Sequence, residues 1–305
     1  MKVLLSTLAM LGVSGALCAQ TLTDGVMMPR RDLCTGFVYE HDRWSEYWEG
    51  TLKRDNQNIG SLTTRSVVWM GTYGVTDKIN VIAMLPYVST SASQGVLHGM
   101  KGVQDLTLGV KYEALAKPLG SASLKLFAVG SVALPLSNYT PDFYPMSIGS
   151  SSRRASARLT LNYTTRPGFF ANGSGAYTGR ANVTLDRSSY YTDGHLYYSD
   201  EVAMPNVIDY TFSVGYRRSG LVAPFSFTQQ HTLGGGDIRR QDMPFVSNRM
   251  NASRVDAGVL YYVPKVRNLA LKLGATRTLT GRNVGQATTL QAGLMYTFHF
   301  GGPRS

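Results

Sequence analysis

The chain has 305 residues, 43% of them apolar and only 16% charged, with 32 glycines, 18 tyrosines and a formal charge of +11. That balance excludes a disordered tail. Because no segment beyond the N-terminus offers about 20 consecutive apolar residues, it also excludes a bundle of membrane-spanning helices. Lys and Arg are scattered singly, without a basic block or binding motif, so the positive charge points to anionic lipid headgroups or anionic solutes and not to nucleic acid.

Residues 1–19 read as a secretory signal: Lys2 is the basic region, Val3 to Leu17 the apolar core, and Cys18-Ala19-Gln20 carries a cleavage point after Ala19. Lipidation at Cys18 is disfavoured, because Gly15 and Leu17 occupy places that call for Leu and a small residue. Cleavage removes Lys2 and leaves Cys34 as the single cysteine of the mature chain. Residues 20–34 then precede the first strand. Met27, Met28 and Pro29 join an adaptable apolar patch to a residue that resists strand pairing. Two readings stay open for this segment: a plug folded into a barrel lumen, or a periplasmic leader without fixed structure.

From residue 35 to residue 300 strand-like runs recur, with one apolar face and one polar face at a period of two. Ile79, Val81, Ala83, Leu85 and Tyr87 alternate with Lys78, Asn80, Ile82, Met84 and Pro86. The same pattern marks Leu106 to Tyr112, Ala122 to Val132, Ala157 to Tyr163, Ile208 to Tyr216, Val255 to Tyr261 and Leu269 to Leu273. Weaker runs lie near residues 36–51, 60–74, 168–182 and 221–232, and a closing strand brings the total to twelve. Five connections are short turns rich in Gly, Pro, Asn and Asp, and the others are longer and more polar. Short turns at one end and long loops at the other are the layout of an outer-membrane barrel, with both termini in the periplasm. The expected fold is therefore all-β: a membrane-spanning, antiparallel up-and-down barrel of about twelve strands.

In the closing strand Leu290, Ala292, Leu294, Tyr296, Phe298 and Phe300 share one face, and Gln291, Gly293, Met295, Thr297 and His299 share the other. Gln291, Gly293, Tyr296 and Phe298 resemble the C-terminal assembly signal of bacterial outer-membrane barrels. The expected partners are thus the barrel-assembly machinery, outer-membrane lipids and lipopolysaccharide. Residues 301–305 extend beyond the signal as a tail. Tyr296, Phe298 and Phe300, with Trp44, Tyr47 and Trp48 at the other end, read as interfacial aromatic girdles. For Trp44, Tyr47 and Trp48 a ligand-stacking patch at the outer mouth is the competing reading.

The strand phases turn Lys111, Lys125, Arg158, Arg217, Arg254 and Lys272 inward, together with Asp105, Asp209 and Asp256; for Arg217, which lies at a turn, facing only the periplasm is the competing reading. One reading is a net-positive lumen that favours anionic solutes. The other is a ladder of ion pairs that fills and stiffens the interior. Catalysis finds little support. His41, His98, His195, His231 and His299 show no spacing suited to metal ligation or to a nucleophile–base pair, so no catalytic, metal or cofactor site is expected.

Several segments are similar to a known family. Gly74-Val75-Thr76-Asp77-Lys78, Leu85-Pro86-Tyr87-Val88-Ser89-Thr90 and Gly102 to Tyr112 follow in one order, and together resemble the outer-membrane transporter family named for the meta-cleavage pathway of phenol degradation. Asp24-Gly25-Val26-Met27-Met28-Pro29, Tyr39-Glu40-His41 and Tyr47-Trp48-Glu49-Gly50 look like its Bacteroidetes-type members. The resemblance implies a channel for passive uptake of small compounds, aromatic or hydrophobic ones among them. A closed barrel acting through its extracellular loops is the alternative, and an outer-membrane hydrolase a more remote one.

Overall fold

Period-two alternation becomes a closed wall. The structure, a computed structural model, describes residues 21–239, 244–266 and 268–300. The expected signal and C-terminal tail lie outside these residues. The long strands are β1 (Asp32–Trp44), β2 (Leu62–Gly74), β3 (Ile79–Ala92), β4 (Asp105–Leu119), β5 (Ala122–Pro135) and β6 (Arg154–Thr165). They continue with β7 (Phe169–Arg180), β8 (Val207–Arg218), β9 (Leu221–Thr232), β10 (Asn251–Tyr262), β11 (Leu269–Arg282) and β12 (Thr288–His299). Each pairs antiparallel with its neighbours in sequence, and β12 returns to β1 with Asp32 opposite His299 and Arg43 opposite Thr288. Closure removes the unpaired edge that hydrocarbon could not solvate.

Strand β1 begins at Asp32, so Asp32, Leu33 and Cys34 belong to the wall and the preceding segment ends at Arg31. Cys34 pairs with Thr297 and is buried, which extends the period-two pattern three residues further back than expected. The run near residues 36–51 is two elements. β1 stops at Trp44, and Glu46–Glu49 folds onto Leu52–Asp55 as a hairpin in the outer loop, turned at Gly50 with φ +56°.

Residues 75–78, 120–121, 166–168, 219–220 and 263–268 connect strands at the periplasmic end. Two of them, 120–121 and 219–220, are only two residues long, and in the turn between β8 and β9 Ser219 (φ 53°) and Gly220 (φ 80°) both adopt the left-handed conformation. This geometry matches the twist of the flanking strands. The opposite end carries the connections 45–61, 93–104, 136–153, 181–206 and 233–250, together with the short 283–287.

The exterior is apolar. Phe37, Leu159, Phe212, Leu273 and Leu294 are each more than half exposed on outward faces. In a soluble protein so large a greasy belt would be a liability; in a bilayer it is the contact surface. Aromatics ring the belt on both sides. Tyr39, Tyr87, Tyr177 and Tyr210 lie toward the outer end, and Tyr73, Tyr163, Tyr261, Tyr296 and Phe298 toward the periplasmic end. Tyr296 and Phe298 meet edge to face at 4.8 Å, and Phe300 follows them, also exposed.

Candidate functional site

The inward faces form a polar network. Arg158 donates from Nη1 to Ser174 at 2.6 Å and from Nη2 to Asp209, crossing from β6 over β7 to β8. Lys125 meets Glu113 at 2.7 Å, and Arg154 meets Asp105 at 2.7 Å. Asp256 accepts from Thr276, Asp42 from Thr289, and Glu40 from Ser66 and Gln291. Arg254 donates to Gln230 at 3.3 Å. Sequence phases found Lys125, Arg158, Asp209, Arg254 and Asp256 on this face but did not supply their partners Glu113, Gln230 and Thr276. The strands and the N-terminal segment together turn eight carboxylates (Asp24, Asp32, Glu40, Asp42, Asp105, Glu113, Asp209, Asp256) toward eight cations (Lys111, Lys125, Arg154, Arg158, Arg180, Arg217, Arg254, Lys272). The charge of this set balances, so the interior it forms is not net positive.

Residues 21–31 lie inside the barrel on its periplasmic side. Lys111 is the anchor. Its ammonium is fully buried and lies near four oxygens of the segment: Thr21 O at 2.5 Å, Asp24 O at 3.0 Å, Asp24 Oδ1 at 2.8 Å and Val26 O at 3.5 Å. A buried ammonium without such acceptors would be costly, so the charge on β4 dictates where the segment runs. Met28 is fully buried in a cluster with Cys34, Val38, Met70, Leu260, Ala270 and Met295, which brings inward residues of five strands onto one thioether. Met27 is half-buried, and Pro29 lies where a Cβ on Gly74 would collide with its carbonyl oxygen. Gly25 packs on Asn162 and Leu22 on Gly109, so the segment reaches across the lumen to β4 and β6.

The outer mouth is covered by residues 136–153. Thr90 of β3 donates to the Met146 carbonyl at 2.6 Å, and the Tyr139 hydroxyl donates to Asp105 at 2.5 Å. Met146 packs with Ile59 and Leu62, while Tyr139 and Ile148 pack with Val88. Tyr144 joins the cluster of Val183, Leu185, Tyr190, Val202, Met204 and Val246 from the neighbouring loops. Burial and the adjacent Asp105 carboxylate hold the Tyr139 phenol well above its usual range, so it remains a hydrogen-bond donor. Nothing in the period-two pattern pointed to this loop.

Trp44 and Trp48 do not form a lipid-facing girdle, which corrects the sequence expectation. Trp48 is buried against Gly281, and Trp44 turns inward onto Gly285 and the Met146 cluster. Tyr47 is half-buried, 6.4 Å from Trp44. The β1 parity at position 44 and the hairpin after it bring these rings over the mouth, away from the bilayer.

Between the N-terminal segment and the wall lies a cavity of about 200 Å³, bounded by Thr21, Thr23, Asp24 and Val26 on one side and by side chains of β7–β11 on the other. The wall is imperfect beside it. Pairing of β9 with β10 skips Ala223–Pro224 opposite Gly258–Val259, because Pro224 has no N–H to donate. A second cavity of about 130 Å³ shares Pro224, Ser226, Gly258 and Lys272. Among the described residues no three His, Cys, Asp or Glu side chains gather as a metal site.

A family model named for the MetA pathway of phenol degradation matches residues 56–294. The chain belongs to that family. Among solved structures it is similar to an outer membrane channel from Pseudomonas putida F1, at 14% identity and a TM-score of 0.72, covering 89% of this chain and 97% of that one. The translocator domain of the autotransporter NalP from Neisseria meningitidis aligns at 11% identity and a TM-score of 0.47, covering 90% of each chain. The NanC porin aligns at 10% identity and 0.44, covering 86% of this chain and 98% of that one. No protein of curated function matches. The family member described above thus has the architecture of bacterial outer-membrane barrels, in keeping with its apolar belt and closed wall.

Proposed function

We propose that the protein is a passive outer-membrane channel for small molecules, held shut in this state by residues 21–31. The observation that carries this reading is the docking of that segment onto one buried ammonium, Lys111, inside a lumen lined by hydrogen-bonded charges. A barrel whose only task was to display loops would be better filled by apolar side chains, because buried charges bring no net stability over a packed core. A segment outside the strand ladder, held mainly by one buried ammonium and one buried thioether, is by contrast removable. The family's name suggests aromatic compounds among the solutes, and the interior offers polar and apolar surfaces side by side. No reaction is assigned to it.

The test is reconstitution in planar bilayers and liposomes of the full mature chain and of a chain lacking residues 21–31. The deletion should conduct and should swell liposomes in small solutes, with the full chain conducting less or in bursts. If neither chain passes ions or solutes, the channel reading fails and a closed barrel acting through its loops takes its place.

A further inference from the structure

Two cations that line one cavity of the lumen have no hydrogen-bonding or ionic partner. Of the other strand charges named above, Arg180 at the outer end of β7 is likewise unpaired at its buried Nε, and the rest each meet a neighbouring side chain. The Arg217 guanidinium and the Lys272 ammonium, both turned into the cavity beside the N-terminal segment, make no hydrogen bond and no ion pair among the described residues. Arg217 Nε is buried and unpaired, and so is the hydroxyl of Tyr262, an electrostatic neighbour of Arg217. The carboxylates whose charge reaches them are Asp24, for both, and Glu40, for Lys272. Asp24 is already committed to Lys111, and Glu40 to Ser66 and Gln291. Lys111, Arg217 and Lys272 therefore face two carboxylates, and the site lacks one negative charge. Arg217 Nε is a buried donor left without an acceptor, which is costly and rare and calls for a missing acceptor, and the Lys272 ammonium stands beside it as a second cation.

The rest of the cavity describes the body that carries this charge. Phe170 lies under Arg217, with the guanidinium carbon 4.6 Å from the ring centroid. Val26, Val222, Pro224 and Leu260 supply further apolar surface, and Asn172 and Ser213 a polar edge. At about 200 Å³ the cavity is smaller than the roughly 300–1,000 Å³ of drug-sized sites, so it has room for one ring. An arginine fork matches a carboxylate in two places, and a lysine adds a point charge beside it.

We propose that this cavity is a binding site for a small monocarboxylate with a single ring-sized apolar body, its carboxylate held between Arg217 and Lys272 and its ring against Phe170, Pro224 and Leu260. The ligand supplies the missing negative charge and lies against Val26 and Asp24 of the N-terminal segment. Binding at this place touches the closing element itself. The inference deepens the channel reading by naming a class of solute, and it rests on that reading only for its transport meaning.

Equilibrium dialysis of the full mature protein in detergent, with radiolabelled benzoate as the probe, tests it. Benzoate should bind at one site per chain. Benzyl alcohol (ring without charge) and acetate (charge without ring) should bind at least tenfold more weakly. Lys272→Met and Arg217→Gln should each weaken benzoate at least tenfold and leave benzyl alcohol unchanged, while Lys272→Arg restores binding. Heat-modifiable mobility on gels shows that each variant has kept its barrel. Benzyl alcohol binding as well as benzoate, variants without effect, or no saturable benzoate binding by folded protein would each overturn the proposal. So would decanoate binding far more tightly than benzoate, which would assign the cavity to acyl chains. Conductance measured on the same preparations separates the two readings. Conduction without benzoate binding rejects the site and keeps the channel, and benzoate binding without any solute passage does the reverse.

Discussion

Lys111 shows how much one side chain decides. Its position was legible, because it alternates with Leu108, Val110 and Tyr112 on β4, but its partners were not: Thr21, Asp24 and Val26 lie some 90 residues earlier in sequence. Removing one member of a buried ion pair costs about 3–5 kcal/mol. Lys111→Met should therefore release residues 21–31 while leaving the wall intact. The expected outcome is protease cleavage within the segment and a larger open current at unchanged heat-modifiable mobility; a segment that stays protected would show that the Met28 cluster holds it alone. Asp237 makes a similar case outside the membrane. Arg282 donates to it from Nε at 2.7 Å and from Nη2, and this holds its carboxyl below the ordinary value of 3.8. A carboxyl depressed in the folded state contributes stability that is present above its unfolded pKa and lost as pH falls through the folded one. The outer loop 233–250 should accordingly resist protease unchanged from neutral pH down to the ordinary carboxylate range and open only below it. Asp237→Asn should be cleaved already at neutral pH, and equal resistance of both proteins would reject the tie.

At the scale of elements, the closing seam depends on two glycines. A Cβ on Gly36 would lie 2.0 Å from the Leu294 carbonyl oxygen, and one on Gly293 would lie 2.9 Å from the Phe37 oxygen and from Val38 Cγ2. β1 and β12 approach so closely there that neither residue can gain a side chain without moving backbone. Gly36→Val should weaken the seam, seen as a loss of heat-modifiable mobility in milder detergent than the parent needs; an unchanged barrel would mean that the strands can slide apart locally. The strands themselves were readable because lipid on one side and a polar lumen on the other impose a strict period of two, as at Ile79 to Tyr87. Residues 45–61 were misread for the complementary reason. Trp44, Tyr47 and Trp48 were placed by composition alone, and once β1 ends no period remains to say which way a ring turns.

For the whole molecule, charge is the quantity that differs most between sequence and fold. The chain is strongly basic, yet the strands and the N-terminal segment match eight inward carboxylates with eight cations, so the excess lies elsewhere. Deleting residues 21–31 removes Asp24 and leaves Lys111 unpaired; Arg30 and Arg31 are lost with it but are exposed and outside the inward set, so this inward balance tips toward cations. The deleted channel should prefer anions, with a reversal potential in a salt gradient shifted to the anion side, and adding Lys111→Met should bring it back toward neutrality. A cation-selective deletion channel would contradict the pairing described for the lumen. The amino-acid sequence by itself determined the barrel, its strand count and which residues face inward, because each of these follows from local alternation and from turn lengths. Only the tertiary structure decided what fills the lumen. The docking of residues 21–31 on Lys111, the folding of residues 136–153 over the mouth, and the Arg217 and Lys272 side chains left without an acceptor beside the N-terminal segment all depend on contacts between segments far apart in the chain. Local pattern carries no record of them, since any polar inward residue satisfies the alternation and only closure of the wall selects its neighbour.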